Sequence, residues 1–146
     1  MNKTILSPDH VRLNVPAGKK SDMIAETGKV LIENGHVKES YIQKMLEREE
    51  LTSTYMGNYV AIPHGTEDAK SSILSSGISI LQVPDGVDFG NGNIAKVLIG
   101  IAGKNGEHLD ILSQIAIVLS DEENVETIVT ATSKEEILSL FEEAVQ

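Results

Sequence analysis

Three residues of this chain combine a type that handles phosphoryl groups with a sequence setting that could use it: His64, His108 and Arg48. His64 lies in Gly57-Asn58-Tyr59-Val60-Ala61-Ile62-Pro63-His64-Gly65-Thr66, where a short apolar strand stops at a proline and presents one histidine followed by glycine. A neutral imidazole is a strong nucleophile that is largely deprotonated near pH 7 without activation. To attack phosphorus it must be fixed, exposed and surrounded by donors for the phosphoryl oxygens. Pro63 freezes a backbone dihedral before it, Gly65 removes a side chain where a bulky donor approaches, and Thr66 offers a hydroxyl or caps a turn through Glu67 and Asp68.

His108 follows a loop with two glycines, in the first turn of a helix whose free amides suit phosphate, and Glu107 can orient it or cap the helix. Arg48, the one arginine besides Arg12, matches phosphate oxygens bidentately. Each residue also has a plainer reading: a loop histidine at a strand end, a solvated first-turn histidine, a helix-end arginine paired with a glutamate. Local composition does not choose the chemical reading over these. His10 and His36 have no supporting context and read as structural or surface residues.

Other chemistries fare worse. His64, Glu67 and His108 form a conceivable metal set, but no His-Glu-x-x-His occurs and Gly65 suits a helix interior poorly. There is no Gly-x-Ser-x-Gly, no Walker loop and no cysteine, which removes serine-hydrolase, nucleotide-loop, thiolate and disulfide readings. The net charge of −10 argues against nucleic acid and against an anionic membrane surface. No signal-peptide pattern opens the chain, and no apolar run approaches the roughly 20 residues of a membrane span, so the expected setting is cytoplasmic.

The 146 residues suit one domain, 1–146, with an aliphatic core, since aromatics make up only 3%. An extended piece spans 10–14. Helices are predicted over 22–34, with Ser21 as N-cap and Asn34-Gly35 as stop, and over 38–49. Residues 51–57 read as a Thr- and Ser-rich connection. Strands are predicted at 59–62, 77–83 and 96–102, with 84–93 a turn-rich loop. A well-buried helix follows over 107–119. Capping boxes at Ser120 to Glu123 and Ser133 to Glu136 start two closing helices, 121–131 and 134–144. Helices on both sides of a small buried sheet make a three-layer α/β/α domain. Strand order is not deducible from these patterns.

Several stretches together resemble the IIA phosphocarriers of the fructose–mannitol class in the bacterial phosphoenolpyruvate-dependent sugar phosphotransferase system. They are Arg48-Glu49, Thr54-Tyr55-Met56-Gly57, Ala61-Ile62-Pro63-His64-Gly65-Thr66, Gly100-Ile101-Ala102-Gly103 and Glu107-His108-Leu109. The likeness covers nearly the whole chain in order and spacing. The run Leu46 to Tyr55 and the loop Asp85 to Phe89 look most like the mannitol-specific members. The resemblance implies a mixed, mostly parallel sheet of about five strands and no cofactor. It implies that His64 accepts a phosphoryl group from phospho-HPr and passes it to a cysteine of the IIB domain of a mannitol IICB permease. It makes His108 a supporting histidine and Arg48 the cation near the phosphoryl group. It also leaves an alternative, a regulatory nitrogen-type or fructose-type module in which phosphorylation of His64 controls partner binding. The start at Met1 and the lack of a IIB cysteine domain suggest a free-standing protein rather than a piece of a permease.

Overall fold

The computed structural model describes residues 5–141. Its centre is a five-stranded sheet in the order β1-β4-β5-β3-β2, with β1 Val11–Arg12, β2 Tyr55–Gly57, β3 Val60–Ala61, β4 Gly77–Asp88 and β5 Ile94–Ala102. The pairs β1/β4 and β3/β5 are parallel, while β4/β5 and β2/β3 are antiparallel. The sheet is mixed, as expected, but not mostly parallel. Its longest ladder, β4/β5, is an antiparallel hairpin, because only a tight turn separates the two strands in sequence.

Alternation along β5 sorts the core into two layers. Val97, Ile99 and Ile101 face α3 (Glu107–Leu119), α4 (Glu122–Thr130) and α5 (Lys134–Phe141). Leu98 and Ala102 face α1 (Lys20–Glu33) and α2 (Ser40–Leu51). Successive strand side chains point to opposite faces, so a strand covered on both sides must be apolar throughout, and the run from Val97 to Ala102 is wholly buried. Each fully buried aliphatic side chain contributes about 1.5–3 kcal/mol of transfer free energy. Gly100 lets α1 approach: a Cβ there would lie 2.8 Å from Thr27 Cβ.

The 107–119 helix falls where the periodicity puts it. Other boundaries differ for local reasons. Lys19, not Ser21, is the N-cap of α1, and Ser21 lies inside the helix. Ser120 closes α3 through its backbone N–H to Ala116 O, so Asp121 caps α4 and accepts from Glu123 N at 2.9 Å. At α5 the capping box forms as expected: Glu136 Oε2 accepts from Ser133 N at 3.0 Å, and Ser133 Oγ accepts from Glu136 N at 3.4 Å. The part of the predicted 134–144 helix beyond Phe141 lies outside the described residues.

Two stretches expected to be irregular are strand. Tyr55–Gly57 forms β2 on the sheet edge, and β4 runs on through Pro84 to Asp88. Pro84 is tolerated because the β4/β5 register slips between Gln82 and Val87, where no ladder donor is required. The turn shrinks to Phe89–Asn93, with Gly90, Asn91 and Gly92 all at positive φ.

Candidate active site

His64 stands just past β3, bridged in parallel to Ile101 of β5. Ile101 N donates to Pro63 O at 3.0 Å. The next rung of such a ladder would run from Gly65 N to Ile101 O. The Tyr41 hydroxyl stands in that place: it accepts from Gly65 N at 2.9 Å and donates to Ile101 O at 2.7 Å. Gly65 is required for this approach, since a Cβ there would lie 2.6 Å from the Tyr41 ring. Burial pushes the Tyr41 pKa up to about 12, so the hydroxyl keeps its proton and the bridge persists across physiological pH.

The imidazole is not the exposed ring that the sequence suggests. His64 is only 7% exposed. Its Nδ1 lies 2.8 Å from the Ile62 carbonyl oxygen. A carbonyl only accepts, so Nδ1 carries the proton and Nε2 holds the lone pair. Desolvation lowers the His64 pKa; the Ile62 hydrogen bond opposes this, His108 and Arg48 reinforce it, and Glu49 opposes it. The ring is therefore neutral and nucleophilic at neutral pH.

His108 meets His64 from the start of α3, with ring centroids 4.9 Å apart and planes tilted by 48°. The N-cap is Gly106 at φ 86°. Gly103 packs against the helix start so closely that a Cβ would lie 2.3 Å from both the His108 Cα and its backbone N. Ser76 anchors the same loop: its Oγ donates to Glu107 and accepts from Lys104 N at 2.9 Å. Glu107 thus ties α3 to the start of β4 rather than capping the helix. His108 Nε2 is buried and makes no hydrogen bond with any described residue. Desolvation, then the charge of Arg48, lowers the His108 pKa, while Glu67 works the other way.

Arg48 is half-buried on the last turn of α2, and its Nη1 donates to Thr52 O at 2.6 Å. No carboxylate of the described residues lies within ion-pair distance of it. Its field reaches both histidines. The structure thus brings His64, His108 and Arg48 together from three separate elements. Thr66 Oγ1 is engaged with Asp68 beside the short helical turn Glu67–Ser72. Among the described residues no group of three or more His, Asp or Glu side chains is arranged to hold a metal ion.

His10 and His36 form a second pair, remote in role: both are buried and their Nε2 atoms lie 2.8 Å apart. Tyr41 and Glu49 are supports whose roles sequence reasoning missed. An aromatic residue inside an amphipathic helix reads as core, and a glutamate in an acidic helix end reads as surface.

A neutral Nε2, the half-buried imidazole of His108 and a guanidinium with no carboxylate partner among the described residues form a set suited to a dianionic phosphoryl group, which needs a nucleophile, donors and positive charge. Comparison with known proteins agrees with this chemistry. Residues 4–144 match the family model described as phosphoenolpyruvate-dependent sugar phosphotransferase system, EIIA 2. The mannitol-specific phosphotransferase enzyme IIA component of Geobacillus stearothermophilus is 59% identical over 143 residues, covering 98% of this chain and 99% of that one. Its counterpart in Bacillus subtilis is 55% identical, covering 95% and 97%. Among solved structures, the complex of enzyme IIAMTL and phosphorylated enzyme IIBMTL from Escherichia coli matches with TM-score 0.90 and 37% identity, covering 94% of this chain and 97% of that one. This chain belongs to the EIIA 2 family of the phosphoenolpyruvate-dependent sugar phosphotransferase system.

Proposed function

We propose that this chain, as one EIIA domain over 1–146, is the phosphocarrier that feeds mannitol uptake and phosphorylation. His64 takes the phosphoryl group from phosphohistidine on HPr and passes it to the cysteine of a IIB domain. The observation that carries the reading is the hydrogen bond from His64 Nδ1–H to the Ile62 carbonyl, which commits Nε2 as the nucleophile beside His108. Names of close relatives support the sugar: those from Geobacillus and Bacillus are called mannitol-specific. The reading places the protein in the cytoplasm; no helix of the described residues is long and apolar enough to cross a membrane.

The Nε2 lone pair bonds to phosphorus as the donor's N–P bond breaks, its electrons returning to the donor imidazole. No proton moves in this step, because Nδ1–H stays on Ile62 O. The ring becomes an N-phosphoryl imidazolium. His108 Nε2, in its protonated tautomer, donates to a phosphoryl oxygen, and Arg48 offsets the dianion's charge. In the onward step the IIB thiolate attacks phosphorus and the imidazole leaves as a neutral ring.

Incubation with enzyme I, HPr and phosphoenolpyruvate is expected to add one acid-labile phosphoryl group, and His64→Ala to abolish it. Stoichiometric labelling that survives the substitution refutes the assignment. His108→Ala should still be labelled, more slowly; wild-type rates would remove its supporting role. Restoration of mannitol phosphorylation with a mannitol IICB protein separates the carrier from a purely regulatory module.

A further inference from the structure

Glu49 sits in the last turn of α2, one residue after Arg48, with its side chain only 4% exposed. Burying a carboxylate is costly unless it is paired and hydrogen-bonded. Its Oε1 accepts from Thr54 N at 2.9 Å and from Thr54 Oγ1 at 2.6 Å. Its Oε2 has no hydrogen bond among the described residues and faces Lys20 Nζ at 3.5 Å. These contacts lead to the nucleophile. Thr54 O accepts from Ile62 N at 3.0 Å, and the carbonyl of Ile62 receives His64 Nδ1–H at 2.8 Å. A buried anion is thus joined to the reactive imidazole through the Thr54 and Ile62 backbone groups, across the loop between α2 and β2.

We propose that Glu49 is a positioning residue for phosphoryl transfer: through Thr54 it fixes the Ile62 carbonyl that holds the His64 ring, and its charge supports the positive ring formed when Nε2 is phosphorylated. The proposal rests on the phosphocarrier reading. The electrostatics agree with it. Of the charged and titratable groups that act on His64, Arg48 from α2 and His108 from α3 disfavour a positive ring, and Glu49 favours one. Before attack the ring is neutral; after attack it keeps Nδ1–H and carries N–P on Nε2, so it is formally cationic. Glu49 therefore interacts more strongly with the product of the step than with the reactant, the differential that lowers a barrier. A purely structural role for Glu49 would secure the loop without distinguishing the two charge states.

The test is Glu49→Gln, which keeps an acceptor for Thr54 and removes the charge. With enzyme I, HPr and phosphoenolpyruvate, the transfer rate to His64 should fall about tenfold, the low end for loss of an outer-shell partner, with the KM for phospho-HPr unchanged. Nitrogen-15 NMR of the histidine rings should show the His64 protonation midpoint at lower pH and a mixture of tautomers in place of pure Nδ1–H. A variant with the wild-type rate, tautomer and midpoint overturns the proposal, as does a loss confined to KM. If Glu49→Gln does not fold, Thr54→Ala gives the same NMR reading: mixed tautomers support the chain of contacts, and a pure Nδ1–H ring overturns it. A wild-type protein that takes no phosphoryl group on His64 overturns the phosphocarrier reading and this role with it. A competent wild type with an indifferent variant overturns the role of Glu49 alone.

Discussion

Replacing Tyr41 with phenylalanine isolates the part of the site that holds His64 in register. The ring is 2% exposed and its packing survives the change, so only the hydroxyl is lost. That hydroxyl serves two groups: it accepts from the half-buried Gly65 N–H and donates to the fully buried Ile101 carbonyl. Leaving a buried group unsatisfied costs about 1–3 kcal/mol. Water reaches the Gly65 side, so the sum should be about 2 kcal/mol. For a domain of this size that corresponds to a melting temperature lowered by about 4–8 °C. Gly65 directly follows His64, the proposed nucleophile, and a displacement of about 1 Å at a reacting group can cost about a hundredfold in rate. Single-turnover transfer from phospho-HPr at 20 °C, well below melting, should therefore slow by one to two orders of magnitude. Calorimetry and rapid-quench labelling on the same preparation read both effects. A melting temperature within about 1 °C of wild type, with the wild-type rate, refutes the reasoning. It would mean that Gly65 N–H closes directly onto Ile101 O and the ladder needs no inserted hydroxyl.

Gly103→Ala places a methyl 2.3 Å from the His108 backbone, which cannot yield as a flexible side chain does. We expect a loss of about 1–3 kcal/mol in urea unfolding, slower transfer and a His64 that is still labelled; an unchanged transfer rate would uncouple the loop from the site. Stability should also fall in acid. Burial lowers the pKa of His10, His64 and His108 in the folded protein, so the unfolded chain binds more protons once pH drops below its ordinary value near 6.5. This contribution is fully present above about pH 6.5 and is lost as pH falls from there through the folded values. Urea midpoints measured from pH 8 to pH 5 should decline below about 6.5, and His10→Asn should flatten the decline; a flat profile in the wild type would contradict it.

Much of the site is legible in local sequence because its parts are local signals. Pro63-His64-Gly65 announces a rigidly presented imidazole, and Gly103 to His108 announces a loop feeding a helix start. The 107–119 helix and the buried run 96–102 follow from periodicity and from uninterrupted apolarity. Caps and edges were less legible. Ser21 and Ser120 have the right chemistry, but neighbouring residues take the N-cap positions once packing sets where each helix begins. Tyr55–Gly57 is a strand only because β3 lies beside it, and Pro84 is admitted to β4 only because the register slips there.

What the sequence alone determined is which residues are competent for phosphoryl chemistry and which alternatives are absent. Competence resides in residue type, and short spacing reports local backbone. Tertiary structure decided that His64 is buried rather than exposed and that Nδ1–H is spent on Ile62. It also decided that His108 and Arg48 converge on the ring, and that Tyr41 and Glu49 stand behind it. The Ile62 and Glu49–Thr54 bonds are short-range, 2 and 5 positions apart, but Tyr41 reaches Gly65 and Ile101 across 24 and 60 positions, and His108 and Arg48 come from separate helices; the packing of α2, β3, β5 and α3 makes these contacts, and no spacing along the chain encodes them.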